Sequence, residues 1–303
     1  MRFAIFSDVH GNMDALRAVL DDCEALTQQT GRRVDQYWCL GDVVGYGPQP
    51  RECLSQVRAR CTLVIPGNHD WAAVGKLDLE DFSGTAAEAA LWTRKRLDPS
   101  DVNFLQALPW DGRTIGDFTV VHGSPSNPIW EYLTSPETAG PNFAFFDTRF
   151  CMVGHTHLPT IFLQPNLDHD APRRAAMRSI ERKGKVAFAM ATPGGPSRSS
   201  LESGEYAITM NHLPIAAPCE RWNPVPGFWR LPANYRAIIN PGSVGQPRDG
   251  DPRAAYVIYD SGLGGFEFRR VPYNVPQTQR KIQMCGLPPQ VAEQLAERLA
   301  TGS

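Results

Sequence analysis

Several things are scarce in this chain of 303 residues, and each scarcity excludes a class of protein. No apolar run approaches the roughly 18 residues that cross a bilayer. Neither sign of charge dominates: 30 Lys and Arg stand against 32 Asp and Glu. No overall basic field therefore draws the chain to nucleic acid or to an anionic membrane. Cysteine is sparse, odd in number at seven, and scattered, with no CxxC pair. That argues against a disulfide framework and against a thiolate metal site, and most of these thiols read as small core residues. The first residues show no charged n-region, apolar h-region and cleavage site, so the expectation is a cytoplasmic protein. A P-loop is missing too: "NPGSVG" at 240–245 lacks the lysine and Ser/Thr tail, and reads as a strand connection.

The 42% apolar content suffices for one large α/β domain spanning 1–303. Apolar strands are expected at residues 3–6, 37–40, 62–65, 118–121 and 150–153. Helices are expected at 13–26 with Asn12 as N-cap, after Pro50, from a Thr85–Glu88 capping box to Leu97, and at 99–108. Residues 164–235 are rich in Pro, Gly and Ser, and read as an insertion with one helix (172–183) and one strand (186–191). Its basic run from Arg173 to Lys185 reads as a solvated helix face, and His169 and His212 as surface residues. Its aromatics Trp222, Phe228, Trp229 and Tyr235 read as packing onto the core or a second subunit. Two strands, another at 266–271 and two helices (276–284, 288–299) close the chain.

Each of the five apolar strands runs into a polar cluster. These are Ser7-Asp8-Val9-His10, Gly41-Asp42, Gly67-Asn68-His69-Asp70, His122-Gly123 and Gly154-His155-Thr156-His157. Any one of them alone is an ordinary turn or a satisfied histidine. Together they take five of the seven histidines. Open α/β sheets bind ligands beyond the carboxyl ends of their strands. Neighbouring strands would bring all five clusters to one crevice. The donors are aspartate, asparagine and imidazole, which suit Mn, Fe, Zn, Ni or Co better than Ca or Mg. Seven donors exceed the shell of one ion that must keep an open position, so two ions are expected. Two divalent cations outweigh two carboxylates, and such a centre attracts an anion, most naturally phosphate.

"SDVHGN", "GDVVGYGP", "GNHD", "HGSP" and "GHTH" resemble the signature blocks of the calcineurin-like metallophosphoesterases. The fit is best to the bacterial and archaeal branch related to diadenosine tetraphosphatases, and it covers roughly residues 1–163 and 236–300. The resemblance implies a four-layer sandwich of two mixed β-sheets flanked by helices, with the insertion after the fifth motif strand. It implies Asp8, His10 and His157 on one metal, Asn68, His122 and His155 on the other, and Asp42 between them. His69 would be general acid to the leaving oxygen or stabilise its charge, at an ordinary pKa near 6.5, with Asp70 orienting its ring. Asn12 would stand at the phosphate end of the first helix. Relatives that are protein phosphatases carry an arginine soon after the Gly-Asp block; here that stretch has none, and Arg248 of "GQPRDGD" is the candidate substitute. Tyr46 and Trp130 are candidates to line the pocket.

The implied activity is hydrolysis of a phosphoester or phosphoanhydride by metal-bound hydroxide. A dinucleoside polyphosphate or other nucleotide phosphodiester is the first expected substrate, and manganese one expected metal. The rival readings are a nuclease acting on DNA or RNA ends, and a non-catalytic binding module on the same fold. The expected partner is a small-molecule phosphoester or nucleotide, with no membrane and no nucleic acid; self-association into a homo-oligomer stays open.

Overall fold

The computed structural model describes residues 1–166 and 218–303. The helix and strand expected at 172–183 and 186–191, the basic run, His169 and His212 lie outside the described residues.

Two six-stranded sheets stack face to face. The first takes the order β3 (Leu63–Val64), β2 (Gln36–Cys39), β1 (Arg2–Phe6), β11 (Ala254–Asp260), β12 (Gly265–Val271) and β9 (Gly227–Trp229). The second takes the order β4 (Arg113–Ile115), β5 (Phe118–Val120), β6 (Phe150–Met152), β10 (Tyr235–Asn240), β7 (Thr160–Pro165) and β8 (Glu220–Trp222). In each sheet three neighbouring strands run parallel, β1-β2-β3 and β5-β6-β10, and antiparallel strands extend the edges.

Strand side chains alternate between two cores, as period two demands. Ile5, Trp38, Phe118, Phe150, Met152, Ile239, Val257 and Phe266 fill the space between the sheets. Ala4, Phe6, Cys39, Tyr256 and Ile258 face outward onto α1 (Met13–Thr30) and α2 (Pro50–Arg60). On the far side Cys151, Val153 and Ile238 meet α6 (Pro136–Asn142) through Ala139. Helix, sheet, sheet, helix is the expected four-layer sandwich.

Local chemistry explains most boundaries. Asn12 caps α1, its Oδ1 accepting from the Ala15 N–H at 3.1 Å. Pro50 opens α2 as expected. α1 runs four residues beyond the expected Leu26, to Gly31 at φ 67, whose N–H closes on the Thr27 carbonyl. The helix expected from Thr85, α4 (Gly84–Arg94), is capped by Ser83 and not by Thr85. The Thr85 hydroxyl instead donates to Gln294 at 2.6 Å, on α8 (Pro289–Thr301). The Gly-Asn-His-Asp cluster forms the first turn of an unexpected helix, α3 (Asn68–Ala73). α5 (Pro99–Ala107) stands where expected, and α7 (Val275–Met284) joins α8 against α4.

The proline-rich stretch ends inside the sheets. β8 pairs with β7, and β9 with β12. Trp222, Trp229 and Tyr235 pack against the inter-sheet core, the packing role expected of them, while Phe228 stays exposed. No helix among the described residues is long and apolar enough to cross a membrane.

Candidate metal centre

The parallel strands of both sheets end on one rim. The β1 and β2 loops continue the sheet ladder: Asp8 N–H donates to the Gly41 carbonyl at 3.0 Å and His10 N–H to the Asp42 carbonyl at 2.9 Å. Asp8 also reaches across to the second sheet, accepting the His155 N–H at 3.2 Å. The β10–β11 turn crosses between the sheets at this rim. There Val244 and Gly245 donate to the Ser7 and Asp8 carbonyls, and the Ser243 hydroxyl donates to Asp8 O. The "NPGSVG" turn is thus the structural connection expected, and it also buckles the ligand loops together.

This packing holds six non-glycine residues at positive φ: Asp8, His10, Asp42, Tyr46, His155 and His157. Each costs about 1–3 kcal/mol and persists only where its surroundings over-determine it. Five of the six are expected metal ligands. Two glycines show how tight the loops are. A Cβ on Gly67 would stand 2.0 Å from Asp42 Oδ1, and one on Gly45, at φ 91, would stand 2.8 Å from His69 Nδ1.

The side chains gather into two buried clusters, Asp8-His10-His157 and Asp42-His122-His155. In the first, His157 Nε2 lies 3.3 Å from Asp8 Oδ1 and 3.1 Å from His10 Nε2. In the second, His122 Nε2 lies 3.3 Å from Asp42 Oδ2. That same oxygen is 3.7 Å from His10 Nε2 of the first cluster, so Asp42 stands between the two. Its other oxygen accepts the His69 N–H at 2.9 Å.

Backbone carbonyls set the imidazole tautomers. The Nδ1–H groups of His10, His122 and His157 donate to Val44 O at 3.2 Å, Leu40 O at 2.7 Å and Gln246 O at 2.6 Å. A carbonyl only accepts, so each Nδ1 carries a proton and Nε2 is left facing inward, the arrangement metal-bound histidines use. Two inward Nε2 lone pairs 3.1 Å apart repel one another unless a cation or proton lies between. Four more buried donor atoms have no hydrogen-bond partner: Asp42 Oδ2, Asn68 Oδ1, His122 Nε2 and His155 Nε2. An orphaned buried polar atom costs about 1–3 kcal/mol. A donor set of this kind fits divalent cations.

Burial also tunes the protonation. It pushes His10 well below its usual range and His155 down to about 3. Burial pushes Asp8 up, but His157 and His122 hold its carboxyl well below the usual range. His122 is the exception among the rings: burial opposes its charge, yet Asp42 lifts it to about 9.

Other site residues depart from expectation. Burial pushes His69 down to about 4, so its ring is neutral at pH 7 and not poised near 6.5. Asp70 does not hold that ring. Its oxygens accept the Val44 and Gly67 N–H groups at 3.0 Å each, clamping two loops, and His69 Nδ1 has no hydrogen-bond partner. Asn12 is spent internally: besides capping α1, its amide donates to the Gly245 carbonyl at 3.0 Å and the Tyr273 hydroxyl at 3.2 Å. Tyr46 is only 7% exposed, its ring 4.4 Å from His69 and 4.8 Å from His10. With His10, Asn12 and Gln246 it lines a small pocket.

Arg248 does reach the centre. It is half-buried on the β10–β11 turn; burial lowers His69 and His157 and the Arg248 charge adds to that, while burial raises Tyr46 and Tyr132 and the same charge opposes it. Trp130 lies 5.0 Å from Phe82, which packs edge-on to His69 at 5.3 Å. Sequence reasoning missed Phe82, and it missed Tyr132, whose ring stacks on His155 at 3.8 Å. No spacing pattern marks either one.

Known proteins carry the same frame. The structure superposes on a metallophosphoesterase from Sphaerobacter thermophilus with a TM-score of 0.70 and 37% identity, over 100% of this chain and 99% of that one. An uncharacterised protein of Methanocaldococcus jannaschii is 31% identical over 99% of this chain and 97% of its own length. The symmetrical bis(5′-nucleosyl)-tetraphosphatase of Erwinia tasmaniensis is 32% identical over 93 residues, which are 28% of this chain and 32% of that protein. The family model for calcineurin-like phosphoesterases matches residues 1–159, the segment from which both clusters are drawn, and the chain belongs to that family.

Proposed function

We propose that this protein hydrolyses a phosphoester or phosphoanhydride at a two-metal centre. The observation that carries the reading is Asp42 Oδ2, buried and without a hydrogen bond, between two clusters of inward-facing donors. Asp8, His10 and His157 would hold one ion, Asn68, His122 and His155 the other, and Asp42 both. Bound there, divalent cations supply Lewis acidity and make water a nucleophile at neutral pH. The chain's own residues do the rest. Val44, Leu40 and Gln246 fix the imidazoles through their carbonyls, and the β10–β11 turn holds the loops in register. Arg248 brings a cation to the phosphate from the opposite loop. His69, a neutral ring, offers a hydrogen bond to the oxygen that departs and stabilises its charge.

A dinucleoside polyphosphate or other nucleotide phosphodiester is the first substrate proposed. The partial similarity to the Erwinia enzyme supports it. Near-neutral charge balance disfavours a nuclease. A non-catalytic module on this fold should have lost metal-ligating histidines, and both clusters keep theirs. The test assays purified protein with added Mn²⁺, Fe²⁺, Zn²⁺, Ni²⁺ or Co²⁺ against chromogenic mono- and diesters, nucleotides, dinucleoside polyphosphates and oligonucleotides. Diester or anhydride hydrolysis that a chelator abolishes and metal restores is expected. Protein that binds its metals yet hydrolyses none of these would be a binding module instead.

A further inference from the structure

Among the described residues, Tyr132 is the large aromatic that both stacks on a cluster histidine and stays open. Its ring lies flat on His155, 28° from parallel, yet the residue is 47% exposed. One face is covered by a cluster residue and the rest looks outward. An open aromatic face beside a candidate metal centre is a platform on which a second planar ring can stack.

The loop behind Tyr132 is built to hold it still. Glu131 turns inward, where its carboxylate accepts from the Ser126 hydroxyl at 2.7 Å, the Asn142 amide at 3.0 Å and the Ser124 hydroxyl. Gly123 N–H closes the loop on the Pro128 carbonyl at 2.6 Å. Trp130, on the other side of Glu131, turns towards Phe82 and His69. Tyr132 therefore sits on the second cluster, while His69 packs against His10 of the first, ring centroids 5.0 Å apart. Arg248 acts electrostatically on both rings.

We infer that Tyr132 is a specificity-determining residue: its open face stacks on a planar aromatic group, a nucleobase, carried by the arm of the phosphodiester that is not expelled. The geometry separates the arms. The departing oxygen faces His69 on one side, and the retained arm lies over His155 and Tyr132 on the other. This inference rests on the reading under "Proposed function".

The test compares two esters with the same leaving group, thymidine 5′-(4-nitrophenyl) phosphate and methyl 4-nitrophenyl phosphate, for the metal-loaded wild type, Tyr132→Ala and Tyr132→Phe. Base stacking on an aromatic is worth enough that the kcat/KM ratio of thymidine to methyl ester should fall about 5- to 100-fold in Tyr132→Ala, mainly through KM. Tyr132→Phe should keep the wild-type ratio, and metal content should be unchanged in both. Equal losses on the two esters, or loss of metal with the tyrosine, would overturn the inference and leave Tyr132 as packing for His155. Wild type inert on both esters, with metal bound, would overturn the phosphoesterase reading and this one with it.

Discussion

Replacing Asp42 by asparagine puts the two-cluster geometry to its sharpest test. The two oxygens of Asp42 have different neighbours: Oδ1 accepts the His69 N–H at 2.9 Å, while Oδ2 lies 3.3 Å from His122 Nε2 and 3.7 Å from His10 Nε2. An asparagine must choose which end faces which. Turning its amide NH2 towards His69 N–H would set donor against donor, at a cost of about 1–3 kcal/mol for the unmade bond. The carbonyl therefore takes the Oδ1 place, and the amide nitrogen takes the Oδ2 place. That nitrogen has no lone pair to give a cation. The substitution thus removes a negative charge and a shared donor together, with little change of shape. Losing an outer partner of a metal ligand costs roughly 10–100-fold in affinity. Losing the shared donor should cost at least that at both positions at once. Elemental analysis after dialysis against graded chelator measures it, with Asp8→Asn as the comparison. Asp8 Oδ1 approaches only first-cluster rings, at 3.3 Å from His157 and 3.9 Å from His10, so its loss should strip one ion and spare the other. Asp42→Asn protein that keeps one ion at wild-type affinity would refute the bridging role.

Three further outcomes are expected. Gly67→Ala should destabilise by about 1–3 kcal/mol and lower metal content, because the new Cβ falls 2.0 Å from Asp42 Oδ1; denaturant titration reads the first effect, and Gly84→Ala, with nothing within 4 Å, should be neutral or mildly stabilising. Trp38→Ala should cost about 3–5 kcal/mol in the same titration and weaken both ions together, since Trp38 is 1% exposed between the sheets, 5.3 Å from Phe118, and helps dock the two halves that bring the donors together. Loading chelator-treated protein with metal at pH 7 should release a proton from His122, which Asp42 holds protonated up to about pH 9 against burial; the metal-free state binds that proton below pH 9, so affinity should rise as pH approaches 9, and calorimetry in buffers of different ionisation heat should show the release. Heats that do not vary with buffer would contradict it.

The donors were legible because they obey two short-range rules: apolar runs become strands, and polar residues at their carboxyl ends face a common rim. Asp8, Asp42, His122 and His155 needed nothing more. What was not legible depends on contacts distant in sequence. Ser83 and Thr85 are comparable caps locally, and the choice is settled by Thr85 reaching Gln294, 209 residues away. Asp70 looked like a partner for the adjacent His69 ring, but the β2 loop offers it the Val44 N–H. Asn12 looked available to a ligand until Gly245 and Tyr273 arrived from the other end of the chain. β8 and β9 were hidden in proline-rich sequence because edge strands of three residues carry too little periodicity to read. Left-handed backbone at Asp8 or His157 has no local signal either, since these residue types only tolerate it.

That left-handed backbone and the split origin of the donors have one explanation. Each cluster draws on both sheets: Asp8 and His10 follow β1 while His157 follows β6, and Asp42 follows β2 while His122 and His155 follow β5 and β6. Neither sheet alone completes either cluster. The two parallel triplets must therefore be docked, with Phe118, Phe150 and Trp38 packed between them, before the donors can meet. Ordinary extended or helical backbone would carry the side chains past the rim; a left-handed residue at the strand end turns the chain sharply enough to point them back. The strain is distributed over loops that the β10–β11 turn ties to both sheets, and it buys convergence of lone pairs that repel one another until a cation arrives. Metal affinity and inter-sheet packing are then the same property measured at two places, and a substitution that separates the sheets should loosen both ions before it unfolds the chain.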